Sequence, residues 1–283
     1  MNKKNFKALE ITENDGNYER KIIDKEIDDL PEGDLLIKVK YSSLNYKDAL
    51  SAIGTRGVTN EFPHTPGIDA AGTVVEDKSN TFKDGDKVIV TGYDLGMDTD
   101  GGFEEYIRIP ADWAVKLPDT LSLKESMIYG TAGFTAALSV YKLLESEIPG
   151  KNVLVTGASG GVGSFACSIL AERGYNVTAV TGKTDEKEYF EKIGVKEIID
   201  RHQFSDESGK MMLKAKWDGV IDIVGGNLLA TAIKSTKYDG SITCCGNVAS
   251  GDLPINVYPF ILRGVSLFGI DSVQCKRELR RFK

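Results

Sequence analysis

Apolar and polar positions follow a short period through the first third of the chain and a longer one beyond it. The stretch "DLLIKVKYSSL" (34–44) alternates toward an apolar run, and "IDAAGTVVE" (68–76), "DKVIVTGY" (86–93) and "GGFEEYIRI" (101–109) follow as further strand candidates. Clusters such as "KDGDK" and "DTDGG" punctuate them as turns. The pattern predicts an irregular β-rich domain over residues 1–125.

In "LPDTLSLKESMIYGTAGFTAALSVYKLLE" the spacing turns helical, with Phe134, Leu138 and Tyr141 on one stripe and small residues on neighbouring faces. From Asn152 a strand, "NVLVTG", leads through glycines into "GVGSFACSILAERG", a helix pattern, and then into "NVTAVTG", a second strand. A helical "DEKEYFEKIG" and the strand-like "KEIID", "WDGVIDIVGG", "YDGSITCCGNV" and "GVSLFGIDSV" continue the alternation. Such βα alternation predicts a parallel, doubly wound sheet with helices on both faces over 126–272. In residues 273–283 the last strand runs into "QCKRELRRFK", the start of a basic helix or tail that stops without a cap.

The 283 residues suffice for two such domains. A formal net charge of -7 argues against broad attraction to nucleic acid or acidic membranes, so an anionic ligand must be held by local groups. The start has no apolar stretch long enough for a signal sequence, and no run approaches a membrane span; the expectation is a soluble cytoplasmic protein. Cys167, Cys244, Cys245 and Cys275 show no CxxC spacing and read as reduced thiols in or near a core.

The stretch "TGASGGVGSFA" (156–166) carries the candidate chemistry. Gly157, Gly160, Gly161 and Gly163 stand at a strand-to-helix turn, where missing side chains let a pyrophosphate approach the backbone. Helix N-terminal amides favour its negative charge. The spacing is a variant of GxGxxG, strengthened by a strand before it and a helix behind it. The bland alternative is a turn needed only for close helix–strand packing. An NAD site usually places Asp or Glu at the end of the second strand. Here the residues are Thr181, Gly182 and Lys183, which leave room for a 2′-phosphate and neutralise it, with Arg201 able to add a second cation. NADPH is the better fit; the alternative is a solvated Lys183 with Asp185 reading the ribose.

Together, "SSLNYKDAL", "FPHTPGIDAAGTV", "GTAGFTA" with "VTGASGGVGS", and "PFILRGVSLFGIDSV" resemble the medium-chain dehydrogenase/reductase superfamily in its zinc-free quinone oxidoreductase branch. The resemblance is closer still to the acrylyl-CoA reductase-like NADPH oxidoreductases of bacteria. It implies a GroES-like catalytic domain followed by a Rossmann domain, with the active site between them, and a C-terminal return segment expected to be missing after Lys283. No zinc is expected: the places of the metal-dependent relatives' ligands read "YSSLNY" and "PGIDAAG", and only His64 and His202 are available as imidazoles. His64 is expected to be structural or at the surface.

By the same resemblance, Tyr46 contacts the nicotinamide side of the cofactor. Ser159, Gly160, Gly161 and Val162 meet the pyrophosphate, Thr181, Gly182, Lys183 and Arg201 the adenosine end, and Asn247, Ile261 and Ser272 the nicotinamide end. A phenol ordinarily titrates near pH 10, which favours a positioning role for Tyr46 over proton donation. Asn45 is the second catalytic candidate, with turn and helix-capping chemistry as its alternative and that of Asp48. The implied reaction is hydride transfer to an α,β-unsaturated carbonyl, a short enoyl-CoA such as acrylyl-CoA, with a quinone as alternative acceptor. A non-catalytic NADPH-binding sensor is the alternative from another class. The apolar last strand, at a sheet edge, is expected to pair across a two-fold axis into a homodimer.

Overall fold

The computed structural model describes residues 5–55 and 57–280. Residues up to Thr131, together with those from Ser272 onward, form one compact unit, and Ala132–Asp271 form a second.

The first unit is built on an antiparallel five-stranded sheet in the order β6-β3-β4-β5-β7. Its strands are β3 (Leu35–Tyr41), β4 (Asp69–Asp77), β5 (Lys87–Thr91), β6 (Tyr106–Ile109) and β7 (Ala114–Lys116). The alternation in "LLIKVKY" does what its period demands: Leu35 and Ile37 join Ala70, Val74, Val88, Val90, Ile107 and Ile109 in one core. Each fully buried aliphatic side chain contributes roughly 1.5–3 kcal/mol there. Before this sheet lies an antiparallel hairpin, β1 (Asn5–Asn14) and β2 (Asn17–Glu26), which the sequence reading did not foresee. It is joined to the rest of the unit by bridges from Ala8 to Glu104 and from Ile11 to His64. Helix α1 (Tyr46–Ala52) follows β3. The chain after Asp271 also belongs to this unit: Tyr93 N–H donates to the Val273 carbonyl at 3.0 Å, and Arg280, in α8 (Arg277–Arg280), donates to the Thr91 carbonyl at 2.7 Å.

The second unit is a six-stranded parallel sheet in the order β10-β9-β8-β11-β12-β13. These strands are β8 (Asn152–Thr156), β9 (Asn176–Thr181), β10 (Glu197–Asp200), β11 (Trp217–Asp222), β12 (Thr236–Cys244) and β13 (Ser266–Gly269). Both faces are covered, as a near-continuous apolar run requires. Val153, Val155, Val177 and Ala179 face α2 (Leu123–Glu145), α3 (Gly161–Glu172) and α4 (Lys187–Lys192). Leu154, Val180, Val220 and Ile242 pack with residues of α5 (Arg201–Phe204), α6 (Gly226–Lys234) and α7 (Tyr258–Arg263).

Helix α2 corrects the expected stripe. Its core face is Ala136, Val140 and Leu143, whereas Tyr141 is 45% exposed. Aliphatic residues, with the small Ala136 among them, take the core face, and the aromatic lies on the flank. The helix also breaks at Gly130, whose φ of 49° and ψ of -154° are not helical.

Candidate cofactor cleft and catalytic loop

The glycine stretch folds as its composition demands. Strand β8 ends at Thr156, Gly157 turns the chain with φ of 61°, and Gly160 caps α3. Gly163 lies against that turn so closely that a Cβ would stand 2.3 Å from the Gly157 carbonyl oxygen. Gly160 differs: its nearest neighbour would be 3.4 Å from a Cβ, and its φ of -81° suits any residue. A bare backbone there faces open space, which fits a ligand approaching the amides at the start of α3.

Beside this turn lies a cleft of about 490 Å³. Gly157, Ser159, Gly160, Thr181, Gly182, Arg201 and His202 form its polar side, and Ile223, Val224, Leu228, Val248 and Ala249 an apolar wall. The Thr181 hydroxyl donates to Ser159 Oγ at 3.0 Å and accepts from Lys183 N–H at 3.0 Å, joining the glycine turn to the end of β9. The Arg201 side chain crosses Gly182, where a Cβ would meet its Nε at 3.0 Å. Arg201 Nε also donates to His202 Nε2 at 3.3 Å. No acidic side chain is among the described residues lining the cleft. Asp200 is turned instead to the backbone N–H groups of His202 and Gln203, at 2.8 and 3.3 Å. The arrangement offers an anion hydroxyls, amides and a guanidinium, and offers a planar ring an apolar surface.

Of the residues singled out beforehand, Ser159, Gly160, Thr181, Gly182 and Arg201 line this cleft. Gly161 and Val162 begin α3 next to it. Lys183 is exposed and pairs with Glu186 at 3.4 Å. Asn247 directly precedes Val248 and Ala249 but does not itself line the cleft. Ile261 is an exposed residue of α7, at 68%. Ser272 belongs to the first unit, where its carbonyl accepts from Arg280 at 2.8 Å.

The catalytic loop lies in the first unit. Asp48 caps α1, accepting from Asn45 N–H at 2.7 Å, and takes a second bond from Ile68 N–H at 2.9 Å. Burial holds its carboxyl above the usual range despite these donors. Asn45 does more than turn the chain. Its side-chain amide donates at 2.8 Å to Asp69, a carboxylate with no exposed surface. Asp69 also accepts from the Ser43 hydroxyl and, at 2.8 and 2.6 Å, from the N–H and hydroxyl of Thr131. The glycine next to Thr131 is part of the arrangement, since a Cβ on Gly130 would sit 2.6 Å from Asp69 Oδ2. Asp69 thus ties the loop before α1 to the break in α2. Sequence reasoning passed over it as a strand residue; the signal available was an Asp inside an apolar run, "GIDAAG". Tyr46, on the first turn of α1, presents a phenol with 62% exposure.

His64 is buried, 4% exposed, and burial lowers its pKa. Among the described residues no two cysteines form a disulfide. Among the described residues no group of three or more His, Cys, Asp or Glu side chains could hold a metal ion. No described helix is long and apolar enough to cross a membrane.

A parallel sheet carrying a glycine turn with a cleft next to it, in a chain that also holds a small antiparallel β unit, fits a class of two-unit oxidoreductases. Comparison with known families agrees: the profile of the alcohol dehydrogenase GroES-like domain matches residues 31–119, and that of the zinc-binding dehydrogenase matches 161–282. The chain belongs to the medium-chain dehydrogenase/reductase family. It is 47% identical over 277 residues to the putative quinone oxidoreductase YhfP of Bacillus subtilis, covering 97% of this chain and 84% of that one. The structure of YhfP with NAD bound matches with a TM-score of 0.93, covering 98% and 85%. Acrylyl-CoA reductase AcuI of Ruegeria pomeroyi is 41% identical over 95% of this chain and 82% of its own. The yhdH oxidoreductase of Salmonella enterica, solved in complex with NADP, matches with a TM-score of 0.93 at 41% identity, covering 97% and 85%. The zinc in the second profile's description finds no fit among the described side chains.

Proposed function

We propose that this protein is an NADPH-dependent reductase that transfers hydride to the activated double bond of a short enoyl thioester, acrylyl-CoA being the first candidate. The observation that carries the cofactor half is the cleft whose open glycine, Gly160, and hydroxyls face Arg201 with no acidic lining residue. Ser159, Gly160, Gly161 and Val162 would hold a pyrophosphate, and Thr181, Gly182, Lys183 and Arg201 a 2′-phosphate. Asn247, Ile261 and Ser272 remain proposed contacts for the nicotinamide end. When bound, the reduced nicotinamide supplies the hydride.

The chain's own residues bind, orient and stabilise charge. Tyr46 offers an exposed O–H donor, which suits a positioning role or the developing negative charge of a thioester oxygen. Asn45, held by Asp69, fixes the start of the helix that carries Tyr46. No metal enters this chemistry, and zinc independence is part of the proposal. The thioester is supported by the likeness to AcuI; the likeness to YhfP favours a quinone as the second acceptor. We further assign the protein to the cytoplasm, which suits cysteines that form no disulfide among the described residues, and pair two copies through the sheet edge at β13.

The test follows loss of NADPH absorbance with acrylyl-CoA and, separately, with a soluble quinone. Thioester-dependent loss is expected. Loss with the quinone alone transfers the assignment to quinone reduction, and NADPH binding without turnover of either identifies a binding protein. A monomeric mass at micromolar concentration refutes the dimer.

A further inference from the structure

The last residue of β11, Asp222, has no exposed surface and no ion-pair partner among the described residues; its partners are a hydroxyl and a thiol at the carboxyl ends of β8 and β12 and an amide of the loop after β11. The Thr156 hydroxyl, at the end of β8, donates to Asp222 Oδ1 at 2.6 Å and itself accepts from Ile223 N–H at 3.1 Å. Gly225 N–H donates to Oδ2 at 2.8 Å. The Cys244 thiol, at the end of β12, lies 3.8 Å from the same oxygen. One carboxylate therefore joins the strand that enters the glycine turn to the segment that forms the apolar wall.

The join is tight on both sides. At Gly157 a Cβ would stand 3.1 Å from a Val224 methyl, so the turn and the wall are in direct contact. Gly225 and Gly226 follow with φ of 73° and 57°, and a Cβ on Gly225 would meet the Ser250 carbonyl oxygen at 2.4 Å. Ala249 N–H donates to the Val224 carbonyl at 2.9 Å, which carries the registration on to the far part of the wall. Burial raises the Asp222 carboxyl, and the donors around it oppose that shift. An aspartate accepts from both partners at once, whereas an asparagine amide nitrogen would either oppose Gly225 N–H or force the Thr156 hydroxyl, which already accepts from Ile223 N–H, to accept in place of donating.

We propose that Asp222 is a positioning residue for dinucleotide binding, acting through Thr156 and Gly225 to set the spacing between the glycine turn and the 223–226 wall. This rests on the NADPH reading above. The residues proposed for the adenosine phosphate, Thr181 to Lys183 and Arg201, are not among its partners. A ligand that reaches only those residues should not sense it, whereas one that also spans the turn and the wall should.

Titrations of the whole protein with NADPH and with adenosine 2′-monophosphate, which lacks the 5′-phosphate that would reach the glycine turn, test this. Asp222→Asn should raise the NADPH Kd about tenfold while that of adenosine 2′-monophosphate stays within about twofold. Thr156→Val should act the same way, and the double variant should be no weaker than Asp222→Asn, because both remove one interaction. Thr156→Ser, which keeps the hydroxyl, should bind as wild type and carries the test if Asp222→Asn does not fold. Equal weakening of both ligands, additive losses, a Thr156→Ser variant as weak as Thr156→Val, or an unchanged NADPH Kd overturns the proposal. A wild type that binds neither probe overturns the NADPH reading and this proposal with it; a wild type that binds both separates the two.

Discussion

Two glycines of one turn, changed to the same residue, should fail in opposite ways. In Gly163→Ala the new methyl would lie 2.3 Å from the Gly157 carbonyl oxygen and 2.7 Å from Ala158 Cα. Both obstacles are backbone, which cannot swing aside, so helix α3 must shift from β8. Overpacking of this kind costs about 1–3 kcal/mol or more. In a unit of this size each kcal/mol lowers Tm by about 2–4 °C. In Gly160→Ala the nearest atom is 3.4 Å away and φ is -81°, so the fold accepts the methyl. The loss of glycine freedom in the unfolded chain stabilises by about 0.4–1 kcal/mol, and alanine as a poorer helix cap takes back a similar amount. Stability should thus stay within about 1 kcal/mol of wild type. The methyl does, however, fill the bare backbone at the cleft, and NADPH affinity should drop at least about tenfold, a loss of about 1.4 kcal/mol. Thermal unfolding without cofactor and NADPH titration of both variants provide the assay. Wild-type NADPH affinity in Gly160→Ala would refute the turn as the cofactor cradle, and wild-type Tm in Gly163→Ala would refute the packing argument.

Arg201→Ala should weaken NADPH about tenfold and leave NADH within about twofold; equal loss of both would remove the 2′-phosphate role. Tyr46→Phe should reduce kcat if the phenol serves the acceptor's oxygen, and an unchanged kcat leaves only ribose positioning. Asn45→Ala removes one donor to a buried carboxylate and should destabilise by about 1.5–3 kcal/mol, with faster amide exchange through residues 43–50. Glu104 supplies a pH test: burial pushes its carboxyl up to about 8 from an ordinary 4.5, in spite of Lys25 at 3.2 Å. Because the folded state holds the extra proton between those values, the stabilisation is complete below about 4.5 and is lost as pH rises through about 8. The slope should approach 1.4 kcal/mol per pH unit at most, at about one proton bound. Glu104→Gln should flatten the dependence of Tm on pH over that window, and an unaltered slope would place the titration elsewhere.

Local pattern alone determined much of this protein. A glycine turn between "NVLVT" and a helix can be read because its requirement is local: φ at Gly157 and contact at Gly163 are set within a few residues. Thr181, Gly182 and Arg201 were legible for the same reason, at or just beyond the ends of strands that read as short apolar runs. Tertiary structure decided what depends on distant partners. The β1–β2 hairpin shows weak alternation and is held through His64 and Glu104, far along the chain. The face of α2 turned on which residues pack into the core against the sheet, so Ala136 and Val140 displaced the aromatic stripe. Asp69 and Asp222 carry no spacing signal, since a buried carboxylate is defined by its donors, and Thr131 and Thr156 reach them across 62 and 66 residues. Strand and helix periods are written in neighbouring residues, whereas the satisfaction of a buried charge belongs to the folded chain as a whole.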